Sequence, residues 1–202
     1  DEPLVRSLSP SKRADMAMTH SQSPDKTMTA LQESLVEDSL NHDFWLARWR
    51  AIQVLRESSE KNDQRAVLLL IEKTQDNMIE VVVSALEALG EICTRGNELV
   101  TMSILNLLGH KAWQVRHATI CCLEKVAPAA DQDVYPAVLS LLEDSDASTR
   151  LAALSATLVL GAPKDPSIVT AAVKALKDDV EENREAAVGL LKQFAHRGDP
   201  SV

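Results

Sequence analysis

The chain has 202 residues, 45% of them apolar and 25% charged, and carries a formal charge of −9 from 30 acidic and 21 basic side chains. That apolar share excludes wholesale disorder, and no apolar run approaches the roughly 18–20 residues of a membrane span. The acidic balance speaks against broad contact with a phosphate backbone, so no nucleic-acid partner is expected. Three cysteines, Cys93, Cys121 and Cys122, lack CxxC spacing and read as reduced thiols. With only 3% aromatic residues, the core must be aliphatic, which favours packed helices.

Residues 1–28 hold few apolar side chains and three prolines, Pro3, Pro10 and Pro24. They are expected to form a flexible or partner-bound N-terminal tail. Ser9-Pro10 and Ser23-Pro24 read as linker prolines before they read as kinase targets. The first residue is Asp1 and no signal-peptide core is visible. The expected compartment is intracellular, cytoplasmic by default, with an organelle as the alternative because an initiator Met is lacking.

From residue 29 onward the sequence repeats. Arg48, Val82, Arg116, Arg150 and Arg184 are evenly spaced at a period of 34, and His42, Asp76, His110, Asp144 and Asp178 each stand six positions before them. Three positions after the arginine slot come Ala51, Ala85, Thr119, Ala153 and Ala187; four after come Ile52, Leu86, Ile120, Leu154 and Val188. Seven after are Leu55, Leu89, Leu123, Thr157 and Leu191, and ten after are Ser58, Ile92, Val126, Leu160 and Phe194. Spacings of three, four, seven and ten mark one face of a helix. Upstream, Val36, Leu70, Ile104, Val138 and Ala172, with Leu40, Thr74, Leu108, Leu142 and Leu176, mark a second helix in each copy.

Taken in order, the expected hairpins are about 29–58, 64–94, 98–127, 132–161 and 166–196. Asn77–Glu80 and Asp179–Glu182 look like capping boxes at the start of second helices. Pro128, Pro136, Pro163 and Pro166 fall between helices. One hairpin cannot bury both faces, so the copies must stack. The expected fold is all-α, a right-handed α-solenoid of about five antiparallel helix hairpins within residues 29–202.

The tetratricopeptide pattern does not fit, because its Trp, Gly-Tyr and Phe positions are absent, and so short a unit leaves no room for the third helix of an armadillo repeat. Leu141–Asp144 with Thr149–Ala153, and Leu176–Asp178 with Arg184–Ala187, instead resemble HEAT repeats, in particular the short PBS-lyase HEAT-like form. The resemblance spans residues 29–196 and implies an Asp–Arg hydrogen-bonded ladder between successive repeats. Asp144, Arg150, Asp178 and Arg184 match both slots of that ladder, and Arg116 matches one. Val82 in copy two and His110 in copy three depart from it, so the ladder is expected to break mid-array and permit local flexing there.

Catalytic signatures are missing. The sequence has no GxGxxG, P-loop or Gly-x-Ser-x-Gly element. The histidines His20, His42, His110, His117 and His196 show no zinc spacing, and no His-Glu pair occurs. No cofactor or metal is expected. The resemblance leaves a lyase-type enzyme or chaperone handling a bilin-like pigment as the competing reading.

In HEAT-like solenoids the second helices line the concave side. The position after the arginine slot reads Trp49, Val83, His117, Leu151, Glu185; three before it read Trp45, Ile79, Trp113, Ala147, Glu181. At 100° per residue the first row points away from the core and the second lies on its flank. Trp45, Trp49, Ile79, Val83, Trp113, His117 and Leu151 are therefore the candidate partner-binding strip. The competing placement packs Trp45 and Trp113 over their own interhelical turns. The expected role is a non-catalytic interaction scaffold, adaptor or accessory subunit, whose partners are proteins within a multi-subunit assembly.

Overall fold

The computed structural model describes residues 30–161 and 166–196, with side chains described over 33–161 and 167–193. Among the described residues there are ten α-helices and no strand. They pair in sequence. Helix α1 (Ala30–Leu40) packs on α2 (Trp45–Ser58), α3 (Gln64–Lys73) on α4 (Ile79–Ile92), and α5 (Glu98–Ile104) on α6 (Trp113–Val126). Helix α7 (Val134–Ser140) packs on α8 (Ala147–Leu160), and α9 (Pro166–Ala175) on α10 (Glu181–His196). Helices α5 and α7 tighten into 3-10 turns at Leu105–Gly109 and Leu141–Glu143. The tail expected over residues 1–28 and the side chain of Phe194 lie outside the described residues.

The even-numbered helices pack on one another without interruption from α2 to α10, whereas the odd-numbered helices touch their neighbours sparsely. The reason is in the third row of the repeat. Ala51, Ala85, Thr119, Ala153 and Ala187 are all buried, and short side chains there let helix axes approach. Ile52, Leu86, Ile120 and Leu154 fill the seam beside them with 2% exposure or less. Each such aliphatic contributes roughly 1.5–3 kcal/mol relative to exposure. Two expected core positions behave differently: Val188 is 40% and Leu176 36% exposed. Both lie on the last hairpin, where no following helix covers them among the described residues. No described helix is long and apolar enough to cross a membrane.

The turns repeat as faithfully as the helices. Asp63 Oδ1 accepts from the Arg65 and Ala66 N–H groups, Asn97 Oδ1 from Val100 N–H, and Asp131 Oδ1 from Asp133 and Val134 N–H, which satisfies orphan donors at the start of α3, α5 and α7. One residue earlier, Asn62, Gly96 and Ala130 adopt φ of 60°, 89° and 56°. That left-handed turn aims their N–H groups at the last carbonyls of the next even-numbered helix, Ile92, Val126 and Leu160, at 3.0, 2.7 and 2.7 Å. Glycine takes this conformation freely and asparagine readily, while Ala130 is strained in it.

The capping boxes expected at Asn77 and Asp179 are not formed. Helix α4 begins at Ile79 and α10 at Glu181, one position too late for either box. The acid before each supplies the turn instead: Asp76 Oδ1 accepts from Met78 N–H and Asp178 Oδ1 from Val180 N–H. Asn77 and Asp179 turn across the repeat and accept from Arg48 and Arg150.

Candidate interaction surface and the arginine ladder

The arginine slot opens each even-numbered helix, one turn in. In α2, α6 and α8 the side chain bridges two hairpins. Arg48 Nε and Nη2 donate to Asp76 at 2.7 and 2.8 Å, Arg116 to Asp144 at 2.7 and 2.6 Å, and Arg150 to Asp178 at 2.6 and 2.8 Å. In every case the carboxylate belongs to the next copy, at one and the same separation along the chain. The remaining nitrogen, Nη1, turns back onto its own hairpin and donates to the carbonyls six and five positions earlier, such as His110 and Lys111 for Arg116. Each guanidinium thus clamps its own turn and the following one. The pairs are largely sheltered from solvent; Arg116 and Asp144 side chains are 12% and 5% exposed.

Burial by itself would raise the Asp76 and Asp144 carboxyls, yet the arginine hydrogen bonds and the turn N–H outweigh it and hold both below the ordinary carboxylate range. For Asp178 the Arg150 hydrogen bond is the larger effect and drives the carboxyl lower still.

The two departures noted in copies two and three are one missing rung. Val82 and His110 stand to each other in sequence as donor and acceptor do on the intact rungs. Val82 is buried, and His110 Nδ1 accepts from Ala112 N–H at 3.1 Å, so the imidazole keeps the turn that Asp keeps in other copies. His42, which opens the first copy, does the same with Phe44 N–H at 3.0 Å. Histidine occupies the slot in both copies that face no arginine among the described residues. An imidazole nitrogen serves as the turn acceptor where no cation needs neutralising, and a carboxylate there would be left without its counterion.

The strip expected on the even-numbered layer divides in two. Trp45, Trp49, Ile79 and Val83 are half-buried and pack against the core. Trp45 also meets the Phe44 ring at 6.4 Å between centroids. Trp113 is 42% exposed and stands edge-on to the half-buried His117 ring, at 6.5 Å and 78°. Leu151 is half-buried, and the rows end at the exposed Glu181 and Glu185. Their shared register on stacked helices places them as successive members of one column. Acids flank it: Glu80 on α4 and Glu182 on α10 are exposed, while Glu87 and Glu91 on α4 face Arg56 of α2 at 4.0 and 3.7 Å.

Several strongly exposed apolar side chains lie on the other layer. Met102 is 78%, Leu68 57% and Leu99 53% exposed, and Leu68 and Leu99 border a shallow pocket of about 410 Å³ with Asn62, Gln64, Val67 and Asn97. One signal for this was available in the run Leu68–Ile71, since four consecutive aliphatics exceed the core-facing arc of a single helix. Among the thiols, burial pushes Cys122 up to about 12, and it raises Cys93 and Cys121 as well, the reverse of an activated nucleophile.

No protein-family model and no curated protein matches the chain. Among solved structures, a designed armadillo repeat protein in complex with the peptide (KR)4 matches with a TM-score of 0.61 at 15% identity, over 92% of this chain and 95% of that one. Identity at that level speaks to architecture alone. The unit here has two α-helices where an armadillo unit has three, so the likeness lies in how units stack. The chain is an all-α helical repeat solenoid.

Proposed function

We propose that this solenoid is a non-catalytic protein-interaction scaffold of the HEAT kind, and a subunit or adaptor within a larger assembly. Its binding surface is the even-numbered helix layer, with Trp45, Trp49, Ile79, Val83, Trp113, His117 and Leu151 as the contact column. The observation that carries this reading is the column itself. Large apolar and aromatic side chains recur at two neighbouring registers on stacked helices, with Trp113 well exposed. Tryptophan set in such a surface is the residue type most often found at binding hot spots.

The flanking acids and the net charge of −9 favour a partner segment with apolar anchors and basic neighbours. The complex of the similar designed solenoid with (KR)4 is in keeping with that chemistry. The test is the double substitution Trp113→Glu and Leu151→Glu, at the two apolar members of the column that do not pack against the core, read by crosslinking and pull-down from native material beside far-UV circular dichroism. Helical content is expected to persist while partner capture is lost. Intact capture by the doubly substituted chain would remove the column as the site.

A further inference from the structure

We propose that the C-terminal face of the α9–α10 hairpin is the docking surface for one more hairpin of the same repeat, continuing from residue 199, with Arg184 as its ionic anchor. Arg184 is held as the other rung arginines are: Nη1 donates to the Asp178 and Asp179 carbonyls at 2.8 and 3.1 Å. In Arg48, Arg116 and Arg150, that back-contact aims Nε and Nη2 at a carboxylate of the following copy. Arg184 has the same posture, and among the described residues its Nε and Nη2 meet no acceptor. A guanidinium oriented in advance on two carbonyls is half of a bidentate carboxylate site.

The apolar surround agrees. Val188 is 40% exposed where Ile52, Leu86, Ile120 and Leu154 are buried, and Leu176 is 36% exposed where Leu40, Thr74, Leu108 and Leu142 are buried. In the other copies the even-numbered helix that carries the first of these rows is packed against the even-numbered helix of the hairpin that follows.

The sequence indicates which occupant fits. Asp199-Pro200-Ser201-Val202 repeats Asp165-Pro166-Ser167-Ile168 at the period of the hairpins. Asp199 falls in the row of Asp63, Asn97 and Asp131, whose side chains start odd-numbered helices. A second copy of this chain is a poorer fit. Its opening turn would offer His42, whose Nδ1 already accepts from Phe44 N–H, in place of a carboxylate.

The experiment compares the chain ending at Val202 with one extended beyond it by a second copy of residues 169–196. The extension sets a counterpart of Asp178 in the same register to Arg184 that Asp178 itself holds to Arg150. Amide hydrogen exchange is read over residues 181–193. The extension is expected to slow exchange there. Arg184→Gln should then speed it roughly tenfold in the extended chain, the worth of a charge-assisted hydrogen bond, and less than about twofold in the shorter one. Changing the appended aspartate to asparagine should reproduce the loss, with no further loss when both changes are combined. Equal effects of Arg184→Gln in the two chains would overturn the proposal, as would an appended hairpin that exchanges like unfolded chain. So would sedimentation showing that the shorter chain dimerises through this face and that Arg184→Glu dissolves the dimer.

Discussion

The missing rung between Val82 and His110 can be transplanted, and the transplant measures what the ladder contributes. In Asp144→His the imidazole can still accept from Asp146 N–H, as His110 accepts from Ala112 N–H, but the Arg116 guanidinium loses both carboxylate bonds. Breaking a fully buried pair costs about 3–5 kcal/mol. At 12% exposure solvent reaches part of this cation, so about 2 kcal/mol is expected here. Arg116→Val leaves Asp144 with only its turn contact and is expected to cost about the same. The double variant recreates the 82/110 pair, with neither charge present, and is expected to cost about 1 kcal/mol. The two single costs less the double leave a coupling of about 3 kcal/mol, at the upper end for residues in direct contact. Urea unfolding followed by circular dichroism gives the values, with hydrogen exchange alongside because repeat arrays can unfold in parts. A coupling under about 0.5 kcal/mol, or an Asp144→His variant as mild as the double, would show that the guanidinium needs no carboxylate and refute the argument.

Leu154→Ala should lower stability by about 2–5 kcal/mol through a cavity between α8 and its neighbours, and an unchanged melting temperature would contradict the burial of this position. Ala130→Gly relieves a left-handed backbone and should gain about 1 kcal/mol, or roughly 2–4 °C in melting temperature; a loss would mean that the turn does not hold that conformation. Asp76, Asp144 and Asp178 have folded pKa values below the ordinary 3.8, so their stabilisation is complete above that pH and is lost as acid titrates the folded groups. The urea midpoint should therefore hold from pH 7 to about 5 and fall below about 4, less steeply in Asp144→Asn.

What was legible in the sequence was whatever the helix period and the repeat period impose jointly. Ala51, Ala85, Thr119, Ala153 and Ala187 had to be hidden, because small residues recurring at one helical phase have a packing purpose wherever helices stack. The arginine slot and the acid six positions before it were visible for the same reason. That Val82 and His110 make a single absent rung was harder to see. The pairing joins each arginine to the following copy, so one gap appeared as two defects in neighbouring copies. Capping followed a similar course: Asn77 and Asp179 had the right residue type for a box, but the Arg48 and Arg150 forks claim them across the repeat.

Exposure was settled only in three dimensions. Val188 and Leu176 carry the same pattern as their buried counterparts, and what distinguishes them is the lack of a described helix beyond. Trp45 and Trp113 share one register, yet Trp45 packs against the core beside the Phe44 ring while Trp113 stands exposed against His117, a difference that the repeat pattern does not carry. A repeat determines what every unit has in common. Burial and pairing depend on the units to either side, and so they emerge only once the hairpins are stacked.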